Sequence, residues 1–298
     1  MKVTLITATY NSAKNLRDCL QSVAEQTYPN IEHIVIDGGS SDGTMDLVKS
    51  FPSVTKFISE PDKGIYDALN KGIQLATGDV IGFAHSDDML AEKDIISRIV
   101  NSFSPSKGEI SEGQRGSSSP KENNASGADH PLPTASQRYS PSERGRNSFS
   151  NGNIASRVDG IFGNLVFVDP ENTDKIVRTW ISTPFNRSEV KHGWMPPHPT
   201  LFLRREVYEK HGTFDTSFKI AGDYDFMLRV MLDETINLRL LPEIIVKMRK
   251  GGASTGSFSE LLHKKSEDLR AMKNNGFVFP LWVLLMKNVR KIPQLLLK

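Results

Sequence analysis

Three acidic clusters define the chemistry this chain can do. Ser86-Asp87-Asp88 closes the stretch GDVIGFAHSDD, in which Val80, Ile81, Phe83 and Ala84 form the near-continuous apolar run of a strand buried on both faces. Adjacent carboxylates repel and cost desolvation, so this pair suits a cation or a cationic transition state; a Ser-Asp-Asp helix cap after the strand is the plain alternative. Asp37-Gly38-Gly39-Ser40-Ser41-Asp42-Gly43-Thr44 combines glycines that permit close backbone approach with an acceptor, Asp37, suited to a ribose hydroxyl or a base N–H. It is neither GxGxxG nor a Walker loop. Ala221-Gly222-Asp223-Tyr224-Asp225 opens a helix, where Asp223 is either an N-cap or a group turned to a ligand.

The elements that must position these groups alternate. Lys2–Thr7 reads as a first strand and Ala13–Gln26 as a helix with Leu16, Leu20, Val23 and Ala24 on one face. Between them Thr7-Ala8-Thr9-Tyr10-Asn11-Ser12 lies at a strand's carboxyl end and a helix's amino end, where free N–H groups favour anions. Strands over Ile31–Asp37 and Val54–Ser59, a helix over Ile65–Ala76 carrying Asp67 and Asn70 one turn apart, and a helix near Lys93–Phe103 continue the pattern. Such alternation predicts an α/β fold: a mixed, mainly parallel sheet flanked by helices, with ligands at the strands' carboxyl ends.

Residues 104–157 are rich in Ser, Gly, Asn, Pro and charge and poor in aliphatic side chains, and are expected to form a disordered insertion. Strands are predicted again at Gly160–Val168, Lys175–Trp180, Thr200–Leu203, Ile236–Leu240 and Ile244–Met248, and helices at Arg205–Lys210 and Phe258–Ala271. The tail joins FVFPLWVLLM to Lys287, Arg290, Lys291 and Lys298, with nothing acidic after Asp268. This run is Pro-interrupted and short of the roughly 20 residues that span a bilayer. It fits a basic amphipathic helix lying on an anionic membrane face, or docking on its own domain or a dimer partner.

With 298 residues, 37 basic and 35 acidic, the chain has no global charge argument for nucleic-acid binding. The single cysteine, Cys19, excludes an internal disulfide or a Cys-based zinc site and points to a reducing, cytoplasmic setting. The N-terminal MKVTLITATYNS turns polar by Thr7 and reads as a strand rather than a signal peptide.

Taken together, Thr9-Tyr10-Asn11, the Asp37–Thr44 loop, Gly64-Ile65-Tyr66-Asp67-Ala68-Leu69-Asn70-Lys71-Gly72, Ser86-Asp87-Asp88 and Gly222-Asp223-Tyr224-Asp225 closely resemble the family 2 glycosyltransferases of the GT-A fold, bacterial polysaccharide-biosynthesis type. The resemblance covers residues 1–103 and 158–250. It implies a nucleotide-sugar-binding half over 1–103 and an acceptor half over 158–256; residues 257–298 are read from their own pattern as a helical tail, membrane-associated or packed on protein. By it, Thr9 and Asp37 hold base and ribose, Asp67 lies near the base, and Thr7, Tyr10, Asn11, Gly38, Ser40, Asn70 and Ser86 complete the donor site. Ser86-Asp87-Asp88 takes the place of the family's Asp-x-Asp motif, Asp88 binding Mg²⁺ or Mn²⁺ and Asp87 supporting ribose or metal. Ser stands where a literal Asp-x-Asp has its first acid, so phosphates and water must complete the shell.

The resemblance further implies an inverting, metal-dependent transferase moving a sugar, from a UDP-sugar by preference, to a hydroxyl of a lipid-linked or growing polysaccharide acceptor. Asp223 would be the base, with Trp194, His198 and Asp225 near the acceptor. The cytoplasmic side of the cell membrane would be its place of work. The rival readings are a sugar-phosphate nucleotidylyltransferase, whose Gly-rich basic N-terminal loop is absent after Thr7, and a non-catalytic nucleotide-sugar-binding scaffold.

Overall fold

A computed structural model describes residues 1–104, 157–251 and 258–290. The insertion expected over 104–157 lies, apart from its two end residues, outside the described residues, as does the tail beyond Arg290. Strand β1 (Val3–Thr9) leads to helix α1 (Leu16–Ala24), β2 (Ile31–Asp37) to α2 (Thr44–Lys49), and β3 (Val54–Ser59) to α3 (Ile65–Leu75), after which comes β4 (Val80–Phe83). Each strand is returned by a helix, so neighbours run parallel, in the order β3-β2-β1-β4. Alternate residues enter opposite core layers: Ile6, Ile34, Ile36 and Ile81 go to one, Leu5, Val35 and Val80 to the other. That explains the apolar runs, because a sheet covered on both faces has no solvent side for polar alternation.

The chain then forms β5 (Asp88–Leu90), α4 (Ile95–Ser102), β6 (Gly160–Val168), β7 (Ile176–Trp180), α5 (Arg187–Val190), β8 (Phe202–Arg204), α6 (Arg205–His211), α7 (Gly222–Leu232), β9 (Leu238–Arg249), α8 (Phe258–Asn274) and α9 (Pro280–Val289). Asp88 therefore starts a strand and caps no helix. The sheet continues from β4 as β8-β6-β9-β5, and β7 pairs with β6. Strand β8 is antiparallel to both β4 and β6, β6 is parallel to β9, and β5 is antiparallel to β9 with Asp88 opposite Met248. The parallel part is thus the first half, and the second half is mixed.

Two separate late strands were expected over Ile236–Met248; the structure has one, β9. Pro242, which lacks an N–H, sits where the β6–β9 register is irregular, between the Phe162–Leu240 and Asn164–Ile244 pairs. The proline bulges the strand without turning the chain.

Candidate active site

A cleft of about 630 Å³ opens at the carboxyl ends of β1 and β4 and takes wall residues from both halves of the described chain. Thr9, Tyr10, Asn11 and Ser12 come from the β1–α1 loop; Asp62, Gly64 and Tyr66 from the turn into α3; His85, Ser86 and Asp87 from the end of β4; and His198, Lys219 and Asp223 from the second half.

The β1–α1 loop is held to the glycine-rich loop after β2. Asn11 takes a left-handed backbone, φ 46°; its N–H donates to Ser40 Oγ at 2.7 Å, and its Oδ1 accepts from Ser41 N–H at 3.0 Å. Asp37 is fully buried and accepts from Ser40 N–H at 2.9 Å, Gly39 N–H at 3.2 Å and Ser59 Oγ at 2.6 Å, and from the Ser40 hydroxyl. Its carboxylate thus organises the loop from within. Gly38 N–H donates to Thr9 O at 2.9 Å, and Asp62 lies over Gly38, on the cleft wall.

Several expected site residues occupy other places. Thr7 is buried with its hydroxyl 3.0 Å from His33 Nε2. Asp67 accepts from Lys63 N–H at 3.2 Å and faces Lys71 at 3.5 Å. Asn70 exchanges two hydrogen bonds with the backbone of Phe214, at 2.8 and 2.9 Å, and so ties α3 to the second half. Trp194 is packed between Phe162 and Phe185 and donates Nε1–H to Thr183 at 2.8 Å. Asp225 is buried against Arg229 (3.0 Å) and Asn275 (2.9 Å), beside a separate cavity.

Asp223 sits in the first turn of α7 and lines the cleft; the N-cap position belongs to Ala221. Its Oδ1 accepts from Tyr66 OH at 3.1 Å and Tyr224 N–H at 2.8 Å, while Oδ2 faces His198 Nδ1 at 3.9 Å. The one Tyr66 hydroxyl proton is shared between Asp223 Oδ1 and Ile220 O, the latter at 2.5 Å. This close approach needs Gly222, since a Cβ there would lie 2.8 Å from the Tyr66 ring. Burial lowers His198 to about 4 despite the Asp223 carboxylate, so its imidazole is neutral near pH 7. Its ring and that of His85 lie 5.8 Å apart. A buried carboxylate from α8, Glu267, accepts the N–H groups of Lys219, Ile220 and Ala221 at 2.8–2.9 Å and so anchors the chain just before Asp223.

At the other wall Asp87 lines the cleft, while Asp88 is 1% exposed and both its carboxylate oxygens lack a hydrogen-bond partner. Burial and the neighbouring Asp87 charge push the Asp88 carboxyl well above its ordinary range; the Arg249 guanidinium opposes this. Arg249, itself buried, donates to the carbonyls of Asp87 and Pro170 and pairs with Asp18. Orphaned carboxylate oxygens beside a second acid fit a divalent cation. Among the described residues no group of three His, Cys, Asp or Glu side chains gathers into a metal cage. A cation held by these carboxylates would have to complete its shell with phosphates and water, as Mg²⁺ does.

Sequence reasoning assigned no role to Asp62, Tyr66, His85, Lys219, Arg249 or Glu267. Tyr66 stood in a quoted motif and His85 beside one; Glu267 and Arg249 carry no local signal, because their partners are distant in the chain.

Residues 4–173 match the family described as Glycosyl transferase family 2. An uncharacterized glycosyltransferase of Mycobacterium tuberculosis is 41% identical over 112 residues, which is 37% of this chain and 42% of that relative, so the match spans less than half of its length. Two solved structures share the fold over 98% of this chain. S. aureus TarS 1-349 in complex with UDP-GlcNAc does so at 14% identity with a TM-score of 0.59, covering 73% of that chain. Mannosyltransferase PcManGT from Pyrobaculum calidifontis in complex with GDP-Man and Mn²⁺ does so at 15% identity with a TM-score of 0.57, covering 70% of that chain. A family match over more than half of the chain, on a mixed sheet flanked by helices like those of the GT-A glycosyltransferases, assigns this chain to glycosyl transferase family 2.

Proposed function

We propose that this chain is an inverting glycosyltransferase that moves a sugar from a nucleoside diphosphate, UDP by preference, to a hydroxyl of a lipid-linked or growing polysaccharide acceptor. One observation carries the reading. Asp223 and Asp87 line one cleft, and Asp223 keeps Oδ1 hydrogen-bonded while Oδ2 faces His198, a residue of the same cleft, at 3.9 Å. That the two solved neighbours bind UDP-GlcNAc and GDP-Man supports a nucleotide-sugar donor here.

On this reading Tyr10, 64% exposed at the cleft, offers its ring to the base. Lys14 and Lys219 line the same cleft and suit the negative diphosphate. Asp87 and Asp88 would hold Mn²⁺ or Mg²⁺, which when bound neutralises charge on the leaving phosphates. Asp223 Oδ2 takes the acceptor hydroxyl's proton as the acceptor oxygen bonds to the anomeric carbon. The anomeric C–O bond to phosphate breaks with its electron pair leaving on the diphosphate. Attack from the opposite face inverts the centre. Tyr66 and the Tyr224 N–H hold Oδ1, so the base oxygen is aimed while its partner is fixed.

The test is nucleoside diphosphate release from a panel of nucleotide sugars with Mn²⁺. Asp223→Asn is expected to lower turnover by about 10²–10⁴-fold, the usual worth of a general base, and to leave donor binding within a few fold. Retained turnover would remove Asp223 as the base.

A further inference from the structure

Helix α9 has two unlike faces. Its inner face is seated on the protein: Val283 is buried, and Lys287 Nζ lies 2.9 Å from Asp268 of α8 and 3.4 Å above the Tyr224 ring. Gly193 approaches so closely that a Cβ on it would stand 2.6 Å from Lys287 N. Its outer side carries Leu281 (70% exposed), Trp282 (55%), Leu285 (54%) and Val289 (44%), spaced as one stripe along the helix, and Val278 (80%) lies just before its start. A contiguous exposed apolar stripe of this kind marks a docking face.

The charges around it identify the occupant. Between Leu261 and Arg290 the acids are Glu267 and Asp268, both buried and both engaged internally. The exposed Lys, Arg, Asp and Glu side chains in the same span are Lys265, Arg270 and Lys273, all basic. An apolar stripe on a pair of helices whose exposed charges over residues 261–290 are cationic complements an anionic bilayer, whereas a second copy of the chain would bring two basic rims together. No helix among the described residues is long and apolar enough to cross a membrane, so the contact lies in the plane of the surface.

We propose that the outer face of α8 and α9 docks on an anionic lipid bilayer, the Val278–Leu285 stripe entering the headgroup–acyl boundary and the lysines facing the headgroups. The proposal is independent of the role of Asp223. It is tested by co-sedimenting the full chain with vesicles of phosphatidylcholine alone or mixed with phosphatidylglycerol. Partitioning to the anionic vesicles is expected to be about tenfold stronger or more and to weaken with salt. Leu281→Glu with Leu285→Glu is expected to reduce it to background. Absent binding, binding unchanged in this variant, or a native dimer that the variant splits without any lipid binding would each overturn the proposal. Should that variant misfold, Trp282→Phe decides: brominated acyl chains are expected to quench the native fluorescence, and the quenching to disappear in Trp282→Phe while binding persists. Equal quenching in both proteins overturns the placement.

Discussion

Asp88 presents the sharpest contrast at the level of single residues: a carboxylate sealed from water with neither oxygen hydrogen-bonded. Leaving a buried polar group unsatisfied costs roughly 1–3 kcal/mol, and such a group persists when something else depends on it. Asp88→Asn keeps the shape and removes the charge. Without metal it is expected to change the melting temperature little, because burial already disfavours the charged carboxyl and the amide would inherit the same lack of partners. With Mn²⁺ it is expected to lose the metal-dependent gain in nucleoside diphosphate affinity. Thermal melts and calorimetric titrations with and without Mn²⁺ check both, and an unchanged metal response would take Asp88 out of the cation site. Asp87, which lines the cleft, would then be the remaining carboxylate at that wall.

Among the elements, α7 matters most, because its first turn carries Asp223 and a different helix anchors the loop before it. Glu267 in α8 accepts three consecutive N–H groups, those of Lys219 and Ile220 in the loop before α7 and of Ala221 at its N-cap. Burial opposes its ionisation, but these three bonds outweigh that and hold the carboxyl below its ordinary range. Glu267→Ala leaves three donors to find other partners and is expected to cost about 2–3 kcal/mol, read as a lower urea midpoint. Glu267→Gln, which can still accept, is expected to lose less. Turnover is expected to fall more than donor affinity in both variants, because the groups displaced adjoin Asp223.

At the scale of the whole molecule the sheet divides its labour between its ends. The cleft lies at the carboxyl ends, and at the opposite end Glu32 binds Lys2 (3.1 Å), Thr4 (2.7 Å), Lys56 (3.1 Å) and both N–H and hydroxyl of Thr77 (2.8 Å each), joining β1, β2, β3 and the turn before β4. Burial raises the carboxyl's pKa, but the hydrogen bonds from Thr77, Thr4 and Lys2 prevail and lower it from 4.5 to about 2. A depressed folded-state value means that this stabilisation is complete above about pH 4.5 and is lost as pH falls through about 2. It corresponds to roughly 3 kcal/mol at neutral pH. The stability difference between native protein and Glu32→Gln is therefore expected to shrink as pH drops from 5 to 2, measured by urea unfolding at each pH; a constant difference would refute the linkage.

The first half of the fold was legible in the chain itself. Apolar runs such as Ile34–Ile36 and helical spacing such as Leu16, Leu20 and Val23 are local signals, and the strand–helix alternation they spell out leaves few topologies. The acidic clusters at strand and helix ends were equally visible, since both their residue types and their positions lie within a few residues of sequence. What the sequence could not separate was position in the chain from orientation in space. Asp37 closes β2 and Asp87 lies in the turn between β4 and β5, yet Asp37 is turned inward onto its own loop and Asp87 lines the cleft. Asp223 and Asp225 share one helical turn, yet one lines the cleft and the other pairs with Arg229. The tail's amphipathic pattern likewise left its partner open, whereas packing through Lys287 and Val283 decided which face is committed to the protein. Facing is set by contacts between segments distant in the chain, such as Glu267 with residues 219–221 and Asn70 with Phe214, and only the folded chain brings those together.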